Sequence, residues 1–328
     1  MISFGEVLNN RYRIIAKLGE GGMAIVSAAE DLQLKRDVAI KTIKVGNDGS
    51  NAYQIRFRQE AKSCAKVNHP NVISILDYGT LDNGELFYAM DYLPYPDLQS
   101  LIDEGERFDE KRLIPIMRQL AQAVGACHEA GVIHRDIKGA NVIIKENDEV
   151  ILADFGLVYN KDATRMTATG EFVGTPLYLA PEALLSNKVD ERSDIYQLGL
   201  LFYELHTGKK ILGDDVHSIS QLLSQIIAPT FDPPSLMTKE VNDRLRPIIA
   251  RCIERDMRDR FANTKELLMA IDGKTVPLRP VKRRSSENQI VEPPLASKKR
   301  RIPMGAAIIG AFAVILLTFK LFYRQPQG

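Results

Sequence analysis

The stretch from His134 to Gly156 restricts this chain more than any other, because whatever fold forms must hold its polar side chains in fixed relation. It reads HRDIKGANVIIKENDEVILADFG. A loop carrying Asp136, Lys138 and Asn141 follows a predicted helix and precedes an apolar strand, Val142–Ile144. A second apolar strand, Val150–Leu152, leads into Asp154-Phe155-Gly156. The loop sets a carboxylate, a lysine and an amide within a few residues of one another. Asn141 and Asp154 both offer oxygen, the donor that a hard cation such as Mg²⁺ prefers.

Upstream, the first ninety residues favour strands: Tyr12–Leu18, Ala24–Glu30, Asp37–Val45, Ile73–Gly79 and Glu85–Leu93 are short, rich in Ile, Val, Leu and Tyr, and bounded by Gly, Asn and Asp. One amphipathic helix, about Tyr53 to Val67, interrupts them and stops before His69-Pro70. Gly19-Glu20-Gly21-Gly22-Met23-Ala24 lies between two of the strands. Glycines there let backbone N–H groups approach phosphate oxygens, but the pattern also suits a plain hairpin. A dinucleotide fingerprint is disfavoured, since no helix follows the glycines. In Val38-Ala39-Ile40-Lys41 the alternation of a strand can aim Lys41 into a cleft, with Glu60 on the helix as its anionic partner, or leave it in solvent on an edge. After Pro94 the chain turns helical, with candidates at Leu113–Ala130, Ser193–Thr207, Val241–Glu254 and Thr264–Ile271.

Composition divides the chain. Residues 1–273 mix periodic apolar segments with turn signals, and 274–301 are rich in Pro, Ser, Lys and Arg, as linkers are. The net charge is +1. From Lys274 onward eleven Lys or Arg face two Glu, which is +9 and leaves −8 for residues 1–273. An acidic body argues against nucleic acid as a partner, because phosphate contacts need clustered cations. Residues 302–323 form an apolar run in which Met304–Tyr323 carries one charge, Lys320. Twenty helical residues reach about 30 Å, the thickness of a bilayer core. Seven Lys or Arg lie between residues 280 and 301, while Arg324 alone follows the run. The positive-inside rule therefore predicts a single-pass helix in the plasma or inner membrane, residues 1–301 in the cytoplasm and a short external tail, 324–328. The N-terminus has no basic start followed by a long apolar run, so no signal peptide is read there. Cys64, Cys127 and Cys252 are scattered and suggest structural thiols. The histidines form no metal site; His128, His206 and His217 show no partners in sequence.

The glycine loop, VAIK, HRDIKGAN, DFG and Ala180-Pro181-Glu182, in this order, resemble the protein kinase superfamily over about residues 11–272, and specifically the eukaryotic-like Ser/Thr kinases of bacteria. The resemblance implies an α+β, bilobal kinase fold: a β-rich N-lobe over 1–93 and an α-rich C-lobe over 94–273, followed by the basic juxtamembrane linker 274–301 and the transmembrane helix. It implies ATP and Mg²⁺ as cofactors, with Mn²⁺ as an alternative ion, and transfer of the γ-phosphate to Ser or Thr of proteins. Asp136 would accept the substrate proton and Lys138 would lie near the transferred phosphate. Asn141 and Asp154 would hold the metal. Leu18, Gly19, Glu20, Gly21, Gly22, Met23 and Ala24 would cover the nucleotide, Val26 and Ala39 would pack on adenine, and Asp91 and Leu93 would offer it backbone groups. Lys41 would contact the α- and β-phosphates and pair with Glu60. Glu182 and Arg260 resemble a structural ion pair, and Asp194 an anchor for the catalytic loop. Lys138 and Thr175 resemble Ser/Thr-directed kinases. Thr164, Thr167 and Thr169 lie in the activation loop, and Thr167 and Thr169 are the favoured autophosphorylation sites, with Arg135 as phosphate partner. Ala24 departs from the usual third glycine, and the segment after Thr207 lacks the usual Pro-Phe. Partners would be protein substrates, membrane lipids through the terminal helix and basic linker, and a second copy of the chain. Two other functions compete: a membrane-bound pseudokinase scaffold, disfavoured by the presence of Lys41, Asp136 and Asp154, and a small-molecule or lipid kinase, disfavoured by the Ala-Pro-Glu segment.

Overall fold

Strand parity sorts the first ninety residues into two faces. In the computed structural model, which describes residues 4–21, 24–43, 51–82, 84–155, 176–185, 188–212 and 218–276, six strands form one antiparallel sheet. They are β1 (Val7–Leu8), β2 (Tyr12–Glu20), β3 (Ala24–Asp31), β4 (Arg36–Ile43), β5 (Ile75–Thr80) and β6 (Leu86–Asp91), in the order β1-β2-β3-β4-β6-β5. Val38 and Ile40 of β4 join Phe87 and Ala89 of β6, with Tyr12 and Ile14, in a small core on one face. The alternate residues Ala39, Ile43, Tyr88 and Met90 enter the main core on the other. The helix α1 (Asn51–Cys64) covers this second face through Phe57, Ala61 and Cys64.

The remainder is helical around one short hairpin. It comprises α2 (Leu98–Asp103), α3 (Glu110–Glu129), β7 (Val142–Ile144), β8 (Val150–Leu152), α4 (Pro181–Leu185), α5 (Glu191–Thr207), α6 (Ile219–Ile227), α7 (Leu245–Cys252) and α8 (Thr264–Ile271). The strands β7 and β8 pair antiparallel, with Val142 opposite Leu152. The two polar loops therefore leave the same end of one ribbon. Asp97, Asp109, Asp190, Ser218 and Asn263 cap α2, α3, α5, α6 and α8, each accepting a first-turn N–H that has no partner within its helix. The helix α5 is buried on nearly every side, which explains its apolar residues all round. It ends at Gly208, whose φ of 65° suits glycine at a left-handed cap.

The last strands and α8 match the expectations drawn from sequence, and several boundaries move. The helix expected from Val241 begins at Leu245, because the Asn242 side chain accepts the Leu245 N–H and fixes the start there. The helix expected from Ser193 begins two residues earlier, capped by Asp190. Short helices α2, α4 and α6 and strand β1 were not expected. Among the described residues no helix is long and apolar enough to cross a membrane, and the predicted span 302–323 lies outside them.

Candidate active site

The parity that sends Val38 and Ile40 to one face sends Ala39 and Lys41 to the other, toward α1 and the helical half. There the Lys41 Nζ donates to Asp154 Oδ1 across 2.6 Å, joining residues 113 positions apart. Lys41 and Asp154 are mostly shielded, with side chains 15% and 29% exposed. Asp154 sits just beyond β8 at φ 60°, a left-handed conformation that few aspartates adopt and that marks a backbone held by its surroundings.

Asp154 is joined to the preceding loop through the backbone. The Ala153 N–H donates to the Asn141 carbonyl at 2.9 Å. The Asn141 amide nitrogen donates to the Asp136 carbonyl at 2.7 Å and to its Oδ2 at 2.8 Å. Lys138 Nζ donates to the same carboxylate, at 3.1 Å from Oδ1 and 2.9 Å from Oδ2. Asp136, Lys138, Asn141, Asp154 and Lys41 thus form one continuous polar cluster. With its nitrogen committed to Asp136, the Asn141 amide keeps its oxygen for a cation, and Asp154 supplies a carboxylate. That donor set fits Mg²⁺.

The loop is held from below by a buried carboxylate. Asp194, in the first turn of α5 and fully buried, accepts the His134 N–H at 2.8 Å and the Arg135 N–H at 2.8 Å. Arg135 has a φ of 69°, so two consecutive N–H groups turn toward one side chain. The next helical turn adds Gln197, which accepts from the Ile137 N–H at 3.0 Å and donates to the Arg135 carbonyl at 2.9 Å. His134 is fully buried, and burial keeps its imidazole below the usual histidine range and neutral. Its Nε2 donates to the Ala153 carbonyl at 3.1 Å, and its ring lies 5.2 Å from that of Phe155. One histidine therefore ties the Asp136 loop to the Asp154 turn.

Gly139 lets this loop pack closely. A Cβ there would lie 3.0 Å from the Gln99 backbone nitrogen at the start of α2. On the far side, Arg260 donates to both Glu182 oxygens, at 2.8 and 2.9 Å, with the guanidinium fully buried and stacked 4.6 Å from the centroid of Tyr196. Ser193 donates to Glu182 as well, at 2.6 Å.

The other predicted residues fall around the cleft. Leu18, Gly19 and Glu20 end β2 as exposed residues, with Gly19 opposite Val26, and the Gly21 N–H donates to the Ala24 carbonyl. Ala39 is buried, and Val26, Ala24 and Leu93 are partly buried against the main core. Asp91 ends β6. Glu60 lies on α1, but its side chain and the expected Lys41 pairing lie outside the described residues, as do Gly22, Met23, Gly156, Thr164, Thr167 and Thr169.

Sequence reading missed three side-chain contacts. His128 was expected to have no special partner, yet its Nε2 donates to Asp194 Oδ2 at 2.7 Å, because α3 packs beside α5. His206 meets the Phe108 carbonyl at 2.9 Å. Tyr88, opposite Lys41 in the sheet, donates its hydroxyl to Asp154 Oδ1 at 3.1 Å. Burial and the charge of Asp154 push that hydroxyl well above the ordinary tyrosine range, so it remains a donor. Alternation along Leu86–Asp91 was the available signal for Tyr88; His128 carries none.

Known proteins resemble this chain in sequence and in fold. The profile of the protein kinase domain matches residues 12–270. The chain is 33% identical over 264 residues to a probable serine/threonine-protein kinase of Clostridium acetobutylicum, covering 80% of this chain and 40% of that protein. It is 32% identical over 314 residues to the serine/threonine-protein kinase pkn3 of Myxococcus xanthus, covering 91% of this chain and 57% of that one. The chain thus spans about half the length of these curated relatives. The fold is shared with the crystal structure of the Mycobacterium tuberculosis PknI kinase domain, at a TM-score of 0.63 and 24% identity, covering 84% of this chain and all of the other. The chain belongs to the protein kinase domain family.

Proposed function

We propose that this protein is an ATP-dependent serine/threonine protein kinase that acts at a membrane. The observation that carries the reading is the cluster itself: an ammonium, a carboxylate–amide pair and a second carboxylate, far apart in sequence, joined by hydrogen bonds of 2.6–3.1 Å. The serine/threonine kinases of similar sequence support the reading, and the presence of every charged group disfavours a pseudokinase scaffold. In the reaction the Ser or Thr oxygen of a protein substrate bonds to the γ-phosphorus, the bond from that phosphorus to the bridging oxygen breaks, and ADP leaves. Asp136 accepts the hydroxyl proton, and Lys138 beside it carries positive charge near the transferred group. Lys41 neutralises the α- and β-phosphates, Val26 and Ala39 pack on adenine, and Asp91 and Leu93 offer backbone groups. When bound at Asn141 and Asp154, Mg²⁺ supplies charge neutralisation for the phosphates. Asp136→Asn is expected to lower transfer from [γ-³²P]ATP to a protein substrate by about 10²–10⁴-fold. Equal incorporation by the two proteins would remove Asp136 as the base.

Autophosphorylation at Thr167 or Thr169 belongs to the same reading, as does the division into an N-lobe over 1–93, a C-lobe over 94–273 and the linker 274–301. The apolar run 302–323 and the cations at 298–301 support membrane anchorage with the kinase domain on the cytoplasmic side. The full chain is expected in the membrane fraction after alkaline carbonate extraction, and a chain ending at Arg301 in the soluble fraction. The same distribution for both would exclude the anchor.

A further inference from the structure

The kinase motifs leave one group at Asp154 unexplained. Tyr88 is 1% exposed and lies opposite Lys41 in the β4–β6 register. Its ring rests against Phe57 of α1, with centroids 6.5 Å apart. Its hydroxyl donates to Asp154 Oδ1, the oxygen that also receives Lys41. We propose that Tyr88 is a positioning residue that holds the Asp154 carboxylate so that Oδ2 is left for the metal, and that it ties this setting to α1 through Phe57.

The argument is geometric. Asp154 lies beyond the end of β8, so its carboxylate is oriented by the Lys41 and Tyr88 side chains it touches rather than by a regular element. Lys41 alone cannot fix it, because an ammonium on a flexible stem accepts many directions. A phenol on a sheet strand is rigid, and its O–H follows the ring plane. Buried away from water, that hydroxyl is satisfied by Asp154, so releasing the carboxylate would strand a buried donor. Phe57 of α1 packs against the ring that carries this hydroxyl, so a displacement of α1 changes the packing that holds the ring in place. The position of α1 is thereby felt at the carboxylate by a route separate from any Lys41–Glu60 pair. Groups that orient a metal ligand without touching the metal govern its affinity in just this way.

This inference rests on the proposed function, and the test separates the two. Binding of a fluorescent ATP analogue to the full chain is measured by anisotropy with and without Mg²⁺, for wild type and Tyr88→Phe, and urea unfolding of both is followed alongside. Tyr88→Phe keeps the ring and its packing and removes one oxygen. Mg²⁺ is expected to tighten nucleotide binding by wild type, and Tyr88→Phe to lose about 10-fold of that gain while its Mg²⁺-free affinity is unchanged. An undiminished gain in Tyr88→Phe overturns the assignment. An equal loss with and without Mg²⁺ also overturns it, since that is the mark of a packing residue. A wild-type chain that gains nothing from Mg²⁺ overturns the functional reading and this inference with it.

Discussion

Arg260 illustrates how single residues are fixed in this protein. Its guanidinium is fully buried, and besides the Glu182 carboxylate it reaches three backbone carbonyls, of Glu254, Arg192 and Arg255, at 2.7, 3.0 and 3.2 Å. All the donors are directed, as a planar fork allows and an ammonium does not. Replacing Arg260 by Met would leave Glu182 buried without its cation. Loss of one partner from a buried pair destabilises by about 3–5 kcal/mol, so the urea midpoint should fall accordingly. A change within the error of the measurement would show that Glu182 finds water or another donor. The residue pattern around Arg260 was readable in advance, because Ala180-Pro181-Glu182 is a local signature. The contact of His128 with Asp194 was not, because it depends on two helices closing on each other and no spacing in the chain encodes that.

At the scale of elements, local signals set what could be read. The strands β2 to β6 announced themselves by β-branched residues between turn formers, and α8 by Asn263 before an apolar run. The helices α2, α4 and α6 have six, five and nine residues, too few for a period of 3.6 to stand out. Tertiary contact stabilises such pieces, and α2 shows how. Its first turn lies against Gly139, with the Gln99 Cα 3.2 Å from where a Cβ would stand. Gly139→Ala should therefore push α2 off the Asp136 loop, a backbone-on-side-chain conflict of the kind that destabilises by about 1–3 kcal/mol. Thermal unfolding reads it directly. If the variant matches wild type, the loop and α2 move independently. Strand register explains why Tyr88 escaped attention while Lys41 did not: the lysine carries a charge that invites a partner, and the tyrosine acquires its role through the pairing of β6 with β4.

Across the whole molecule, charge is distributed so that carboxylates in the sheet are matched by Arg11. It pairs with Asp31 at 2.7 Å and Asp77 at 2.9 Å, linking β3 and β5. The Arg11 hydrogen bonds, set against burial and helped by the Leu34 and Gln33 N–H groups, hold Asp31 at about 2, below its ordinary 3.8. A carboxylate depressed in the folded state contributes stability that is complete above the unfolded value and lost as pH falls through the folded one. The wild-type urea midpoint should therefore drop between about pH 4 and pH 2. Arg11→Met should begin lower at pH 7 and change less over that interval; parallel curves would contradict the assignment. The helix α5, buried on nearly every side, has a different bearing on the molecule. Through Asp194 it grips the amides of His134 and Arg135, so in deuterated water those two hydrogens should exchange only when the centre of the protein opens. The turn bearing Asp136 would then keep its shape until the whole domain unfolds, whatever frays around it.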